Sequence, residues 1–222
     1  ETIKVELNAR VVGQKDTRTV QFEFRDVTEL ARTYAQLKHS ASTDPLTGVL
    51  NRRAWDDRLR GILDDAQNAG ALLTIAVIDL DHFKAYNDSH GHDAGDALLQ
   101  AFTTKAGPSL RHTDVFARWG GEEFLIALPH TPADQARPIL DRVRSCVPAG
   151  QTCSIGYTDY RSPEPLPDTL ARADKALYLA KSRGRNQIAG ALGLGFARRT
   201  AIAGDSFEII EGVKKGVFDG LH

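Results

Sequence analysis

The sequence predicts an α/β (α+β) fold in which one mixed sheet is flanked by helices, and three observations predict it. Helix-period and strand-period segments alternate along residues 52–182. Residues 71–78 form a nearly continuous apolar run, which is typical of a central strand buried on both faces. Residues 115–128 contain two apolar runs separated by Gly-Gly-Glu-Glu, which indicates a tight hairpin with acids at its tip.

The elements of this core are expected in the following order along the chain. We expect helices over residues 52–68, 94–106, 132–147 and 166–182, and strands over 71–79, 115–119, 124–128 and 152–158. A short helix is expected after His82, Phe83 and Lys84. The helix from residue 132 has Thr131 as its expected N-cap, with Pro132 in the first turn.

The chain ahead of this core predicts a β-hairpin and a linker helix. Residues 1–26 alternate apolar and polar side chains on two strands, and they resemble the C-terminal strands of a PAS sensory domain. Residues 27–41 carry apolar residues at spacings of three and four, which is the seam of a short coiled coil. Two heptads also fit an amphipathic helix packed on its own domain. The seam residues are Val27, Leu30, Tyr34, Leu37 and Ala41.

Composition argues against several classes of function. The chain has 222 residues and a net charge of -1, so nothing in its charge favours nucleic-acid binding. No apolar run approaches the roughly twenty residues of a membrane span, and we expect no signal peptide. We therefore expect a cytoplasmic protein with no membrane contact from this fragment. The chain does not begin with Met, which favours a piece of a longer protein and leaves room for a membrane tether elsewhere.

Acidic residues stand where two predicted strands meet loops. Asp79 ends the buried strand, and Glu122 and Glu123 follow the glycines of the hairpin. Buried carboxylates are costly unless they are paired or bind a metal, and neighbouring acids repel each other unless a cation lies between them. The two strand ends could therefore converge on one hard cation and a phosphate. A solvated turn and a helix-capping acid are the alternatives.

Six motifs along residues 42–190 resemble those of the GGDEF domain family. They are Asp-Pro-Leu-Thr-Gly at 44–48 with Asn-Arg-Arg at 51–53, Asp-Leu-Asp-His-Phe-Lys at 79–84, Asn-Asp at 87–88, Gly-His-Asp-Ala-Gly-Asp at 91–96, Arg-Trp-Gly-Gly-Glu-Glu-Phe at 118–124, and residues 173–186. The resemblance implies a sheet like the palm of nucleotide cyclases. It also implies a diguanylate cyclase of the bacterial cytoplasm, which condenses two GTP into cyclic di-GMP and two pyrophosphates. Glu122 stands where many members have Asp, a variant that is active in the family.

The resemblance also implies roles for individual residues. Glu122, Asp79 and Lys84 are the expected catalytic residues. The expected ligands of Mg²⁺ or Mn²⁺ are Asp79, the carbonyl of Leu80, Glu122 and Glu123. GTP is expected to contact His82, Phe83, Asn87, Asp96, Gly120, Gly121, Lys181 and Arg185, with Asn87 and Asp96 reading guanine and the two basic residues holding the β- and γ-phosphates. Product inhibition is expected from Arg111, Asp114 and Arg142, although a local ion pair is the alternative for the first two.

The resemblance further implies a homodimer in which each subunit holds one GTP, so that the 27–41 seam would align the two half-sites. A non-catalytic module that binds cyclic di-GMP or GTP is the alternative function. The presence of Asp79, Glu122, Lys84 and Lys181 argues against it, because a pure receptor does not need them. Residues 191–222 do not resemble the family, and no role is assigned to them.

Overall fold

The computed structural model describes residues 3–12, 19–31, 33 and 42–191. The strands are β1 (Val5–Val12), β2 (Thr19–Asp26), β3 (Leu73–Leu80), β4 (Val115–Gly120), β5 (Glu123–Pro129), β6 (Cys153–Asp159) and β7 (Ile188–Ala191). The helices are α1 (Arg52–Ala69), α2 (Phe83–His90), α3 (His92–Ala106), α4 (Ala133–Arg144) and α5 (Leu166–Ser182), with a 3₁₀ turn at Gly107–Ser109. The tail and most of the 27–41 seam lie outside the described residues.

Strand β3 occupies the centre of a five-stranded mixed sheet, as the apolar run predicts. The strand order is β4-β5-β3-β6-β7, and β3 is antiparallel to both of its neighbours. Every residue of β3 is buried. The short strand β7, which the sequence analysis did not predict, pairs parallel with β6.

Helices cover both faces of this sheet. On one face, Trp55 of α1 and Leu177 of α5 pack against alternate residues of β3, including Ile75 and Val77. On the other face, Phe102 of α3 packs edge-on against Phe124 of β5, with ring centroids 5.3 Å apart. The prediction of a mixed sheet with flanking helices is therefore confirmed. Because helices cover both faces of the sheet, β3 is apolar on both sides.

Helix α4 begins differently from the sequence prediction. Its N-cap is Pro132, not Thr131, because the hydroxyl of Thr131 donates instead to the carbonyl of Pro129 over 3.0 Å. The helix ends at Arg144, before the predicted residue 147. Pro148 disfavours helical backbone at the residue before it, which is a physical reason for the early end.

The N-terminal hairpin forms as predicted. Leu7 pairs with Phe24 and Ala9 with Phe22 across β1 and β2, so their apolar side chains share one face. Residues 28–31 are helical, and Leu30 is exposed. Tyr34, Leu37 and Ala41 of the proposed seam lie outside the described residues. None of the helices in the described part of the chain is long and apolar enough to cross a membrane.

Candidate active site

The β4–β5 hairpin carries two acids at its tip and is anchored from its base. Gly121 has a φ of 52°, a conformation that glycine adopts without steric cost, and Glu122 completes the turn. The guanidinium of Arg118 donates to the carbonyl of Gly121 over 2.9 Å and to the carboxylate of Asp44 over 3.1 Å. The tip is therefore tied to the turn that precedes α1.

The two acidic strand ends meet, as the sequence predicts. Asp79 of β3 lies directly opposite Glu123 of β5 in the sheet register. The backbone N–H of Leu80 donates to the carbonyl of Glu122 over 3.3 Å. Antiparallel pairing of the buried central strand with the hairpin thus brings Asp79, Glu122 and Glu123 to the same edge of the sheet.

The electrostatics of this edge favour a positive charge. Burial raises the pKa of Asp79, and the charges of Glu122 and Asp81 raise it further, whereas Lys181 opposes the shift. The ammonium nitrogen of Lys181 lies 2.7 Å from a carboxylate oxygen of Asp79. Burial also raises the pKa of Glu123, with Asp79 as the next largest cause. Both carboxylates are therefore more stable as anions beside a cation.

Among the described residues, no three His, Cys, Asp or Glu side chains lie close enough together to hold a metal ion as placed. Lys181 supplies the positive charge beside Asp79. The donor set nevertheless suits a hard divalent cation, because Asp79, Glu122 and Glu123 are oxygen ligands whose mutual repulsion such an ion would relieve.

Basic groups and backbone N–H donors lie at the ends of two helices. Helix α2 starts at Phe83, and its N-cap residue His82 has a left-handed φ of 58° with no side-chain cap. Uncapped N–H groups at a helix start can hold phosphate oxygens, and Lys84 is exposed in the same turn. Lys181 lies in the last turn of α5, and Arg185 follows in an exposed turn.

The two predicted guanine readers lie on neighbouring helices, Asn87 on α2 and Asp96 on α3. Asn87 is half-buried, and its side-chain oxygen has no hydrogen-bond partner, while Asp96 is exposed. The oxygen rests against Gly95, where a Cβ atom would come within 1.8 Å of it. Gly95 therefore makes the room that Asn87 occupies, a role that sequence analysis missed.

The predicted inhibitory residues lie before β4 and on α4. The carboxylate of Asp114 accepts the backbone N–H of Arg111 over 2.7 Å, and the guanidinium of Arg142 donates to the carbonyl of Ser109 over 3.5 Å. The second oxygen of Asp114 is buried without a hydrogen-bond partner. Because the turn uses only the backbone of Arg111, its exposed guanidinium is not needed for the turn.

Sequence analysis also missed two acids near the predicted site. Asp81 is buried and lies two residues beyond Asp79 in the same motif, which was the one signal available. Asp174 of α5 contributes a charge beside Glu123, and burial raises its own pKa. Its place in the motif at residues 173–186 was the one sequence signal available.

Comparison with known families shows which family the chain belongs to. The family model described as "Diguanylate cyclase, GGDEF domain" matches residues 41–187. The chain belongs to the GGDEF family. The match spans the whole of the GGDEF sheet except its last strand, together with the acidic edge and the predicted inhibitory residues.

Curated relatives and solved structures agree with this GGDEF assignment. The chain is 39% identical over 161 residues to diguanylate cyclase DgcP of Pseudomonas aeruginosa, covering 68% of this chain and 24% of that protein. It is 37% identical over 177 residues to diguanylate cyclase DgcM of Escherichia coli K12, covering 75% and 42% respectively. The chain thus spans less than half the length of either relative.

Two solved structures share the GGDEF fold, and each covers about three quarters of this chain. The coiled coil and GGDEF domain of DgcB from Caulobacter crescentus, solved in complex with c-di-GMP, matches with a TM-score of 0.71 and 31% identity. The match covers 74% of this chain and 93% of that one. Diguanylate cyclase SiaD of Pseudomonas aeruginosa, in complex with its activator SiaC, matches with a TM-score of 0.67 and 39% identity over 73% and 66% of the two chains.

Proposed function

We propose that this GGDEF domain condenses two GTP into cyclic di-GMP and releases two pyrophosphates. The observation that carries the proposal is the pairing of Asp79 with Glu123 across β3 and β5, beside the ammonium of Lys181. A buried acid and a half-buried acid with raised pKa values, beside a glycine turn, are suited to a cation and phosphates. The relatives DgcP and DgcM are diguanylate cyclases, which supports the same reaction.

A divalent cation, Mg²⁺ or Mn²⁺, is part of this proposal. Asp79, Glu122, Glu123 and the carbonyl of Leu80 would hold it, since hard cations prefer carboxylate and carbonyl oxygens. When bound, such an ion offsets phosphate charge and lowers the pKa of the attacking hydroxyl.

The residues of the chain bind the nucleotide and move one proton. The 3′-hydroxyl oxygen of one GTP forms a bond to the α-phosphorus of the other, and the bond from that phosphorus to pyrophosphate breaks. Glu122 accepts the hydroxyl proton. Lys84, Lys181, Arg185 and the N–H groups at the start of α2 hold the phosphates, because they supply positive charge and hydrogen-bond donors.

Guanine is selected by Asn87 and Asp96. A carboxylate accepts from both N1–H and the 2-amino group of guanine, and adenine lacks this pair of donors. When adenine enters a site built for these donors, the acceptors of the site are left unmatched, and adenine binding is therefore strongly disfavoured. The unpartnered, buried oxygen of Asn87 is consistent with a group that awaits a ligand.

Cyclase activity requires two subunits, because each domain holds one GTP and two bonds must close. The 27–41 seam is the proposed dimerisation element. Leu30 is an exposed apolar residue on a helical stretch, which suits a partner surface. Replacing Leu30 and Leu37 with Glu should lower turnover while leaving GTP binding by monomers unchanged. Glu29→Lys, which lies off the seam, is the control, and unchanged turnover in the double variant would remove the seam from the mechanism.

Product inhibition at Arg111, Asp114 and Arg142 is the remaining part of the proposal. The exposed guanidinium of Arg111 can fork onto a guanine edge or a phosphate, and Asp114 has an unpartnered buried oxygen. Arg111→Ala should abolish inhibition by added cyclic di-GMP, because the turn depends on the backbone of Arg111 and stays formed. Arg58→Ala on α1 is the matched control. Inhibition that persists in Arg111→Ala would contradict the assignment.

Incubation of the purified protein with GTP and Mg²⁺, with products identified by mass, tests the function itself. Cyclic di-GMP should form with the parent and with Asp64→Ala, an exposed acid on α1, but not with Glu122→Ala. A parent that is dimeric at the assay concentration and makes no product would contradict the cyclase. Titration with cyclic di-GMP would then test the alternative of a binding module.

A further inference from the structure

Asp81 is a buried carboxylate with three hydrogen-bond donors from two distant segments. Asp81 is only 2% exposed to solvent. It accepts the hydroxyls of Thr152 and Ser154 over 2.7 and 2.8 Å, and the backbone N–H of Asn186 over 3.0 Å. Its own N–H donates to the carbonyl of Thr152 over 2.8 Å. Burying such a group is costly unless every lone pair is used, so its partners are held firmly in place.

The turn that Asp81 holds has an unusual backbone. Gly184, Arg185 and Asn186 all have positive φ values of 108°, 63° and 45°. Left-handed backbone is uncommon for residues other than glycine and persists where the surroundings impose it. The bond from Asn186 to Asp81 is one such constraint. A second constraint comes from Arg144 on α4, whose guanidinium donates to the side-chain oxygen of Asn186.

The position of this turn connects it to the proposed site. It follows α5 directly, a few residues after Lys181, whose ammonium pairs with Asp79. Asp81 lies two residues after Asp79 on the same chain segment. One carboxylate therefore ties the strand end that carries Asp79 to the turn that carries Arg185.

We propose that Asp81 is a positioning residue that sets the placement of Arg185 for the terminal phosphates of GTP without touching the nucleotide. The proposal rests on the proposed function, in which Arg185 holds these phosphates. Neutral Asn at position 81 keeps the size of the side chain but replaces one acceptor oxygen with a donor NH₂. The N–H of Asn186 then faces an NH₂ or an uncharged amide oxygen, so the left-handed turn loses the charge-assisted bond that constrains it.

Nucleotide binding by Asp81→Asn tests the proposal. Affinity for a GTP analogue with a non-cleavable α–β bridge should fall by about tenfold, the effect of losing one charge-assisted hydrogen bond. Affinity for GMP, which lacks the β- and γ-phosphates, should change by less than about twofold, because guanine and the α-phosphate are held elsewhere. Asp159→Asn, at the opposite end of the β3–β6 pair, is the matched control and should bind both nucleotides like the parent.

A double-mutant cycle separates positioning from a general loss of stability. In an Arg185→Ala background, Asp81→Asn should cause almost no further loss of affinity for the GTP analogue, because the side chain it places is gone. Thr152→Val, which removes one donor to Asp81 and keeps the shape, should show the same pattern with a loss of about threefold. Equal weakening of GTP analogue and GMP, or full additivity with Arg185→Ala, would overturn the proposal.

Backbone hydrogen exchange distinguishes failure of this proposal from failure of the proposed function. The amides of residues 183–187 should exchange faster in Asp81→Asn than in the parent, with those of β3 unchanged. A parent that binds GTP without making cyclic di-GMP would refute the cyclase and leave this comparison intact. A parent that makes cyclic di-GMP, with Asp81→Asn unaffected in binding and in exchange, would refute the positioning role alone.

Discussion

Replacing Gly95 with Ala should weaken GTP binding without weakening the fold. A Cβ atom at this position would lie 1.8 Å from the side-chain oxygen of Asn87 and 2.8 Å from its Cγ. Ordinary contacts begin at 3.4 Å, so the oxygen must retreat by about 1.6 Å. The obstructing atoms are the far end of a flexible side chain, so the Asn87 amide moves and the helices do not.

The size of the effect follows from this displacement. A hydrogen bond of about 2.9 Å is lost when one partner moves by more than about 1 Å. Losing the bond of Asn87 to guanine, with a polar group left unmatched, costs about 1–3 kcal/mol. GTP affinity should therefore fall about 5- to 150-fold.

Calorimetric titration with a non-cleavable GTP analogue measures the loss, and thermal unfolding measures the fold. Gly61→Ala in α1 is the matched control, because nothing lies within 4 Å of a Cβ at that position. It should bind the analogue like the parent and gain up to about 1 kcal/mol of stability, as alanine favours a helix interior. In an Asn87→Ala background, Gly95→Ala should have no effect on affinity. Normal binding by Gly95→Ala, or the same loss in the Asn87→Ala background, would refute the reasoning.

Three further predictions concern stability. Burial raises the pKa of Glu164, but bonds from Arg172 and neighbouring donors outweigh it and lower the pKa to about 2, from 4.5. The stabilisation is thus fully present above about pH 4.5 and is lost as the pH falls towards 2. In urea unfolding, the free energy of unfolding of Glu164→Gln should be lower than that of the parent by about 1–2 kcal/mol at pH 7, and the difference should shrink over that pH window. A difference independent of pH would contradict the prediction. Arg118→Ala and Asp44→Asn should each lower the free energy of unfolding by about 1–3 kcal/mol. The two losses should be strongly non-additive in the double variant, since the two side chains bond each other at 3.1 Å. Additive losses would show that the pair is not coupled. Gly156→Ala would place a Cβ atom 2.1 Å from backbone atoms of α5. The urea midpoint should therefore fall, with a loss of about 1–3 kcal/mol or more in the free energy of unfolding. An unchanged midpoint would contradict the close packing of β6 on α5.

Much of the fold was predictable because its signals are local. Helix α5 begins and ends at the predicted residues 166 and 182, and the hairpin turns at the predicted glycines. Strand β3 was recognisable from its uninterrupted apolar run, since a strand covered on both faces needs no polar side. The start of α4 was predicted wrongly: the helix begins at Ala133 with Pro132 as its N-cap, and the hydroxyl of Thr131 donates to the carbonyl of Pro129 and caps no helix N–H group.

The candidate site divides in the same way between local motifs and long-range contacts. The acids at 79, 122 and 123 were predicted to converge because each ends a strand, and the register of β3 against β5 brings them together. The bond from Asn186 to Asp81 joins residues 105 positions apart, and the ion pair of Arg118 with Asp44 joins residues 74 positions apart. No local spacing indicates either contact.

The sequence by itself determined the fold class, the family and the residues that could carry chemistry, because alternating polarity and compact motifs are properties of neighbouring residues. Only the tertiary structure decided how those residues are held. The partner of Asp79 is Lys181 on the last helix, Gly95 makes room for Asn87, and Asp81 ties the phosphate turn to the central strand. These contacts depend on the packing of helices against the sheet and on strand register, which emerge when the chain closes on itself.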